Sequence, residues 1–216
     1  MPNRAVLFDL DGVIVDSRPH HLDAWHQLAR THGLHHTPDY FTKTFGLRND
    51  AILGGLIPGI TADELARLAA EKEALFRDAA RGRVEALPGV RELLDALDEA
   101  SVPRAVVTST PRQNLDLILA SLGLSDRFQA LVAEEDASKG KPDPEGFLVA
   151  ARRLGAEPAG CIVIEDAPAG LRAAKAAGMR AIGVTTTHPA PELGDADLVV
   201  GSLAEGTVRA FVLGAQ

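Results

Sequence analysis

The sequence predicts an α/β fold, a doubly wound parallel sheet with an inserted all-helical cap. Three observations carry this. Short, continuously apolar runs recur along the chain, helical patterns separate most of them, and the stretch 15–85 holds helical patterns alone. Strands that are apolar throughout are buried on both faces, the condition of a parallel sheet covered by helices on either side.

The elements follow in order. Arg4–Asp9 (RAVLFD) is a short buried strand that ends before Gly12. In the next segment Pro19–His32 carries Leu22, Trp25 and Leu28 at helical spacing. Thr61–Arg81 opens with T-A-D-E, the spacing of a capping box, and is rich in Ala, Glu, Leu and Arg. These helices form the insertion, so the chain divides into a core of residues 1–14 and 86–216 and a cap of residues 15–85. Pro88 opens another helix, with Val90, Leu93, Leu94 and Leu97 on one face. Strands at Arg104–Thr108, Phe128–Val132, Cys161–Ile164, Ala181–Val184 and Asp197–Val200 complete the sheet. Helices at Arg112–Leu122, Pro144–Leu154 and Ala169–Ala177 lie between them, the first two ending near Gly123 and Gly155. There is no internal repeat and no low-complexity linker.

Composition narrows the function classes. The 216 residues are 46% hydrophobic and 24% charged, a globular balance, with a formal charge of −8 that disfavours nucleic acid and anionic membranes. Of the aromatics, 7 are Phe beside 1 Trp and 1 Tyr, which offers no platform for stacked bases. No apolar run reaches the ~18 residues of a membrane-spanning helix. Asp9 and Asp11 interrupt the N-terminus before a signal peptide could form. The lone Cys161 cannot close an intramolecular disulfide and reads as a small core residue, which fits a reducing cytoplasm. A cytoplasmic enzyme is the expectation.

Doubly wound sheets bind ligands beyond the carboxyl ends of their strands, and the residues there form an ordered set. The first strand ends in F-D-L-D-G (Asp9, Asp11, Gly12) and the second in T-S-T (Thr108, Ser109, Thr110). The loop S-K-G-K-P-D-P after the third brings Lys139 and Lys141, and the fourth ends in Glu165-Asp166. Converging carboxylates repel and retain protons unless a cation joins them. A hard divalent ion with oxygen ligands resolves this, and carboxylates plus phosphate favour Mg²⁺. Hydroxyls and lysine donate to an anion, so a phosphoryl group bridged to the metal satisfies both sides. Successive side chains of a strand alternate faces, so Asp9 and Asp11 point the same way.

On these four motifs the chain resembles the haloacid dehalogenase superfamily, Rossmann-like in its core, in the phosphatase and phosphomutase branch with a helical cap. The sequence F-D-L-D-G-V-I-V-D-S followed by H-x-x-A-W is most similar to beta-phosphoglucomutase-like proteins. The resemblance implies that Asp9 is the nucleophile forming a phosphoaspartate, and that Asp11 protonates the leaving alcohol and then activates water. It implies further that Ser109 and Lys141 hold the transferring oxygens, aided by the amides after Asp9 and Ser109, with Gly12 and Thr110 among the substrate-contacting positions. The implied Mg²⁺ site is Asp9, the Asp11 backbone carbonyl, Asp166, and Glu165 directly or through water. Lys139 is expected at the solvated surface.

In the cap, His21 matches a histidine that mutase-like proteins carry beside the active site, and Arg48 and Lys72 match substrate-contacting positions. Lysines on a Glu-rich amphipathic helix more often form a solvated face, and nothing in the sequence marks Lys72 as desolvated. The other histidines at 20, 26, 32, 35 and 36 lack a cysteine to complete a zinc site, and Trp25 reads as a core residue of the cap. A mutase needs a distal anion site. The Ser-Lys-Asn run of the mutases is replaced by Pro111, Arg112 and Gln113, of which Arg112 alone keeps the charge. The expected activity is therefore that of a phosphatase on a small phosphorylated sugar or polyol, with beta-phosphoglucomutase as the alternative and a monomer as the expected state. A signalling receiver domain is shorter and lacks the insertion, and no G-x-G-x-x-G follows the first strand to bind a dinucleotide.

Overall fold

The computed structural model describes residues 4–214. Strands β1 (Ala5–Phe8), β2 (Arg104–Val107), β3 (Ala130–Val132), β4 (Cys161–Glu165), β5 (Arg180–Val184) and β6 (Leu198–Val200) form one parallel sheet in the order β3-β2-β1-β4-β5-β6. The chain winds outward from β1 to β3 on one side and from β4 to β6 on the other, so the reversal falls between β1 and β4. Phe8 pairs with Ile164 across that boundary, and the Asp9 N–H donates to the Ile164 carbonyl at 2.9 Å. Residues following these two strands thus emerge side by side, at the crevice that doubly wound sheets offer to ligands.

The strands bury alternate residues on opposite faces. Val6, Phe8, Val106, Ile162, Ile164, Ile182 and Val184 pack on one face, against helices α5 (Val90–Glu99), α6 (Arg112–Leu122) and α9 (Gly206–Leu213). Ala5, Leu7, Ala105, Val107, Val163 and Ala181 pack on the other, against α7 (Glu145–Leu154) and α8 (Pro168–Ala176). Helices α6 and α7 end on Gly123 and Gly155 in the left-handed conformation, as their sequences predict. Helix α9 is a finding of the structure. It is 8 residues long, shorter than the window over which a helical period is read, and buries Val208 and Val212 fully.

Between β1 and α5 the described residues form α1 (Arg18–His32), α2 (Tyr40–Lys43), α3 (Asn49–Leu56) and α4 (Ala62–Ala80), with no element of the sheet. Thr61 caps α4 by accepting from the Glu64 N–H at 3.3 Å, the threonine half of the expected capping box. Trp25, Leu28, Phe41, Ile52, Leu53 and Leu68 gather into a small core of their own, while Ala24, Phe76 and Ala80 join the cluster on the sheet. The chain enters and leaves this segment through adjacent stretches, with Val15 bridged to Ala86 and the Leu87 N–H donating to the Ile14 carbonyl at 2.9 Å.

Gly89, just ahead of α5, has φ +88°, and a Cβ there would lie 2.1 Å from the backbone nitrogen of Ala204. Gly89→Ala should therefore cost more than the ~1 kcal/mol of an unfavourable φ alone. The expected readout is a thermal midpoint lower by at least about 2–4 °C; an unchanged midpoint would contradict this close approach.

Candidate active site

The tips of β1 and β4 carry the site. Asp9, Glu165 and Asp166 are 6%, 1% and 3% exposed, and one carboxylate oxygen from each lies within 4.8 Å of the others. Lys141, from the loop before α7, donates its ammonium to both Asp9 and Glu165. The second oxygen of Glu165 accepts the N–H groups of Asp166 and Ala167, each at 3.0 Å, and Asp166 accepts the Thr187 hydroxyl. Ser109, Thr110 and Thr108 at the tip of β2 line the same cavity, whose volume is about 250 Å³.

Three buried carboxylates face one ammonium here. Burial, opposed by Lys141 and reinforced by Glu165 and Asp11, pushes the Asp9 pKa up to about 8. Burial, with Glu165 and Asp9, likewise raises Asp166 well above the ordinary carboxylate range. For Lys141 burial works against the charge, but Asp9 and Glu165 prevail and hold its pKa above that of an ordinary lysine. The cluster thus takes up protons when no further cation joins it. This donor set, oxygen throughout and short of positive charge, fits a hard divalent ion held by Asp9, Glu165 and Asp166.

Asp11 sits in a different setting. Its carboxylate accepts the Ser17 hydroxyl and lies 3.8 Å from His21 Nε2. Burial opposes its charge, but His21, Ser17 and Lys72 outweigh burial and lower its pKa. His21 stacks on Phe76 with ring centroids 3.8 Å apart, and its Nδ1 lies 2.7 Å from Lys72 Nζ. Lys72 also bonds Glu73 at 2.8 Å. Burial lowers the Lys72 pKa against the pull of Glu73, and burial together with Lys72 lowers that of His21. Two carboxylates two residues apart thereby differ in proton affinity, the pattern expected of groups with different tasks.

Most of the sequence-predicted residues meet in this cavity: Asp9, Asp11, His21, Arg48, Lys72, Ser109, Thr110, Lys141, Glu165 and Asp166 all line it. Two do not. Arg112 is turned away, its guanidinium donating to Asp136 and, at 3.0 Å, to the Leu131 carbonyl, because an acidic turn beside α6 captures it. Gly12 gives its N–H to the Val15 carbonyl at 2.7 Å and lies against Asp166, where a Cβ would come within 1.9 Å of Oδ2. Its part is to make room, with φ +82°. The Thr110 N–H is also taken, by Thr108 Oγ1 at 3.1 Å.

Other expectations are corrected or extended. Lys72 is desolvated at 2% exposed, contrary to the solvated helix face, because it lies inward against His21 and over the rings of Trp25 and Phe76. Trp25 is a core residue, stacked on Phe41 at 5.3 Å, and lines the cavity as well. Lys139 is at the surface, as expected, with its side chain 72% exposed. Cys161 is buried, which pushes its thiol up to about 11. Sequence reasoning missed Ser17, Glu73, Asn114, Glu134 and Thr187. Ser17 stands within the quoted D-S of the first motif, and the others carry no local signal.

The chain's relatives agree with this geometry. Residues 3–178 match the family of haloacid dehalogenase-like hydrolases. The chain is 36% identical over 202 residues to a validoxylamine A 7'-phosphate phosphatase from Streptomyces hygroscopicus subsp. limoneus, covering 94% of this chain and 95% of that relative. It is 35% identical over 207 residues to hexitol phosphatase A from Escherichia coli, covering 95% and 94%. The crystal structure of a beta-phosphoglucomutase from Clostridium difficile superposes with a TM-score of 0.85 at 30% identity, covering 99% of this chain and 97% of that one. This chain belongs to the haloacid dehalogenase-like hydrolases. It is an enzyme of that family, and its six-stranded parallel sheet flanked by helices is the family's fold.

The raised proton affinity of Asp9 has a thermodynamic consequence. Asp9 keeps its proton to about pH 8 when folded but releases it near its ordinary value when unfolded, so its contribution to stability falls as pH rises between them. In metal-free protein, Asp9→Asn should gain stability over the wild type, and the gain should widen from about pH 5 to about pH 8. Chemical denaturation across that range checks it; a gap that narrows with rising pH contradicts the assignment.

Proposed function

We propose that this chain is a Mg²⁺-dependent phosphatase that hydrolyses a small phosphorylated metabolite, a sugar or polyol phosphate, through a phosphoaspartate on Asp9. The observation that carries this is the meeting of Asp9, Glu165, Asp166 and Lys141 at one end of a cavity that Ser109 also lines. Asp9 attacks phosphorus and the bond to the leaving alcohol breaks, with Asp11 giving its proton to the departing oxygen. The incoming phosphoryl dianion raises the proton affinity of Asp11 and so prepares that transfer. Water then attacks phosphorus, Asp11 takes the water's proton, and the released phosphate leaves Asp9 restored. Lys141 and Ser109 hold the transferring oxygens throughout.

Mg²⁺ suits the site for its oxygen donors and would neutralise charge on the phosphoryl group. Asp9, Asp166, the Asp11 carbonyl and Glu165, directly or through water, would hold it. Residues 15–85 act as the cap that closes over the leaving group and excludes water. The names of the two phosphatase relatives support a phosphomonoester substrate. The mutase alternative draws on the structural likeness, but it needs a distal anion site, and Arg112 stands outside the cavity. We place the enzyme in the reducing cytoplasm, as a monomer, on the strength of its single buried cysteine and a cap that must move.

Phosphate release from a panel of sugar and polyol phosphates, with isomerised sugar phosphate read in parallel, tests this reading. Release should be lost on chelating the metal; isomerisation of β-glucose 1-phosphate with little free phosphate would establish the mutase. Asp9→Asn should lower kcat by on the order of 10³-fold or more while sparing the fold. Asp11→Asn should slow turnover by about 10²–10⁴-fold, most for poor leaving groups. Retained turnover in either variant would refute that residue's role.

A further inference from the structure

Three cationic side chains of the cap, Lys43, Arg48 and Lys72, line the cavity, and each is already matched to a carboxylate. Lys72 is bonded to Glu73 at 2.8 Å. Arg48, immediately ahead of α3, crosses to the core. Its Nη2 donates to the Glu134 carbonyl at 2.6 Å and the Ala137 carbonyl at 3.3 Å, its Nη1 donates to the Ser138 carbonyl at 3.5 Å, and its Nε lies 3.1 Å from Glu134 Oε1. The Nε contact is an ion pair by proximity, since its N–H lacks the alignment of a hydrogen bond. The stem of Arg48 rides over Gly140, where a Cβ would come within 2.8 Å of Cδ. The pair is partly withdrawn from water, at 19% and 27% side-chain exposure.

Beside His21 and Asn49, whose amide donates to Glu73 at 2.8 Å, the rest of the cap wall is mostly apolar. Trp25, Phe41, Phe45, Leu47 and Ile52 line it, and at the mouth Lys43 is paired with Asp39. A second phosphate on the leaving group would meet aromatic and aliphatic surface there. To use Arg48 it would have to displace a carboxylate that repels it. An uncharged polyhydroxylated chain or ring meets no such repulsion, and its C–H faces pack against aromatic side chains. The remaining arginine on the lining, Arg172, stands exposed on α8 of the core.

We propose that Glu134 is a specificity-determining residue: by neutralising Arg48, which backbone carbonyls hold at the core, its carboxylate denies the leaving group a second anion site and restricts the enzyme to monoesters of uncharged sugars and polyols. This rests on the phosphatase reading. Glu134 touches no reacting atom, and its effect falls on substrate choice.

The test compares kcat/KM for matched monophosphates and bisphosphates, such as fructose 1-phosphate and fructose 1,6-bisphosphate, with p-nitrophenyl phosphate as common control. The wild type should favour the monophosphate by about tenfold or more. Glu134→Gln, which keeps the side chain's shape, should erase most of that preference through a lower KM for the bisphosphate, with p-nitrophenyl phosphate turnover unchanged. Arg48→Ala added to Glu134→Gln should abolish the gain, because the guanidinium charge left unneutralised is its source. A wild type that favours the bisphosphate overturns the proposal even if the variants fail to fold, and so does a folded Glu134→Gln with an unchanged ratio. Absence of phosphate release from every substrate overturns the phosphatase reading, and this proposal with it.

Discussion

Asp9, Glu165 and Asp166 lie buried with carboxylate oxygens within 4.8 Å of one another, and among the described residues Lys141 is the ammonium that bonds two of them. Such a cluster opposes folding unless counter-charge is supplied, so the surrounding structure must hold it together. The sheet does so by placing β1 next to β4, although the two are far apart in sequence. Glycines give the acids room: Gly12 lies against Asp166, and a Cβ on Gly170 would come within 1.8 Å of Glu165 Oε1. A bound cation would supply the missing counter-charge and stabilise the folded chain by mass action.

The cap is joined to this centre by contacts of two kinds. Phe76 and Ala80 merge with the apolar cluster on the sheet, close to the two chain crossings. Other contacts are polar. Asn114 of α6 bonds Glu73 and accepts from Arg77 at 3.0 Å, and Arg48 reaches Glu134.

The fold was legible because its strands are continuous apolar runs punctuated by glycine, proline and acids. Where an element is as short as the 8-residue α9, too little of a helical period is present to be read. The candidate site was legible for a related reason. Asp9, Ser109 and Glu165 stand at or just past the carboxyl ends of strands, so β-sheet geometry brings them to one edge. The cap was less so, because its surfaces are set by tertiary packing. Lys72 reads as one charge on a Glu-rich helix, yet the α1–α4 packing turns it inward beside His21. Arg112 keeps the charge expected of a distal anion site, yet Asp136 draws it away. Glu134 lies in an acidic E-E-D stretch that looks like solvated surface, and only the path of Arg48 gives it a partner.

In the proposed reaction Asp9 carries the phosphoryl group between substrate and water. Reductive trapping tests it most directly: the enzyme is quenched during turnover with Mg²⁺ and substrate, treated with borohydride, and mapped by peptide mass spectrometry. An acyl phosphate on Asp9 would be reduced to homoserine at that position, dependent on both substrate and metal. Steady phosphate release with no residue modified would contradict this role and point to direct attack by water, and a label on another residue would move the nucleophile there.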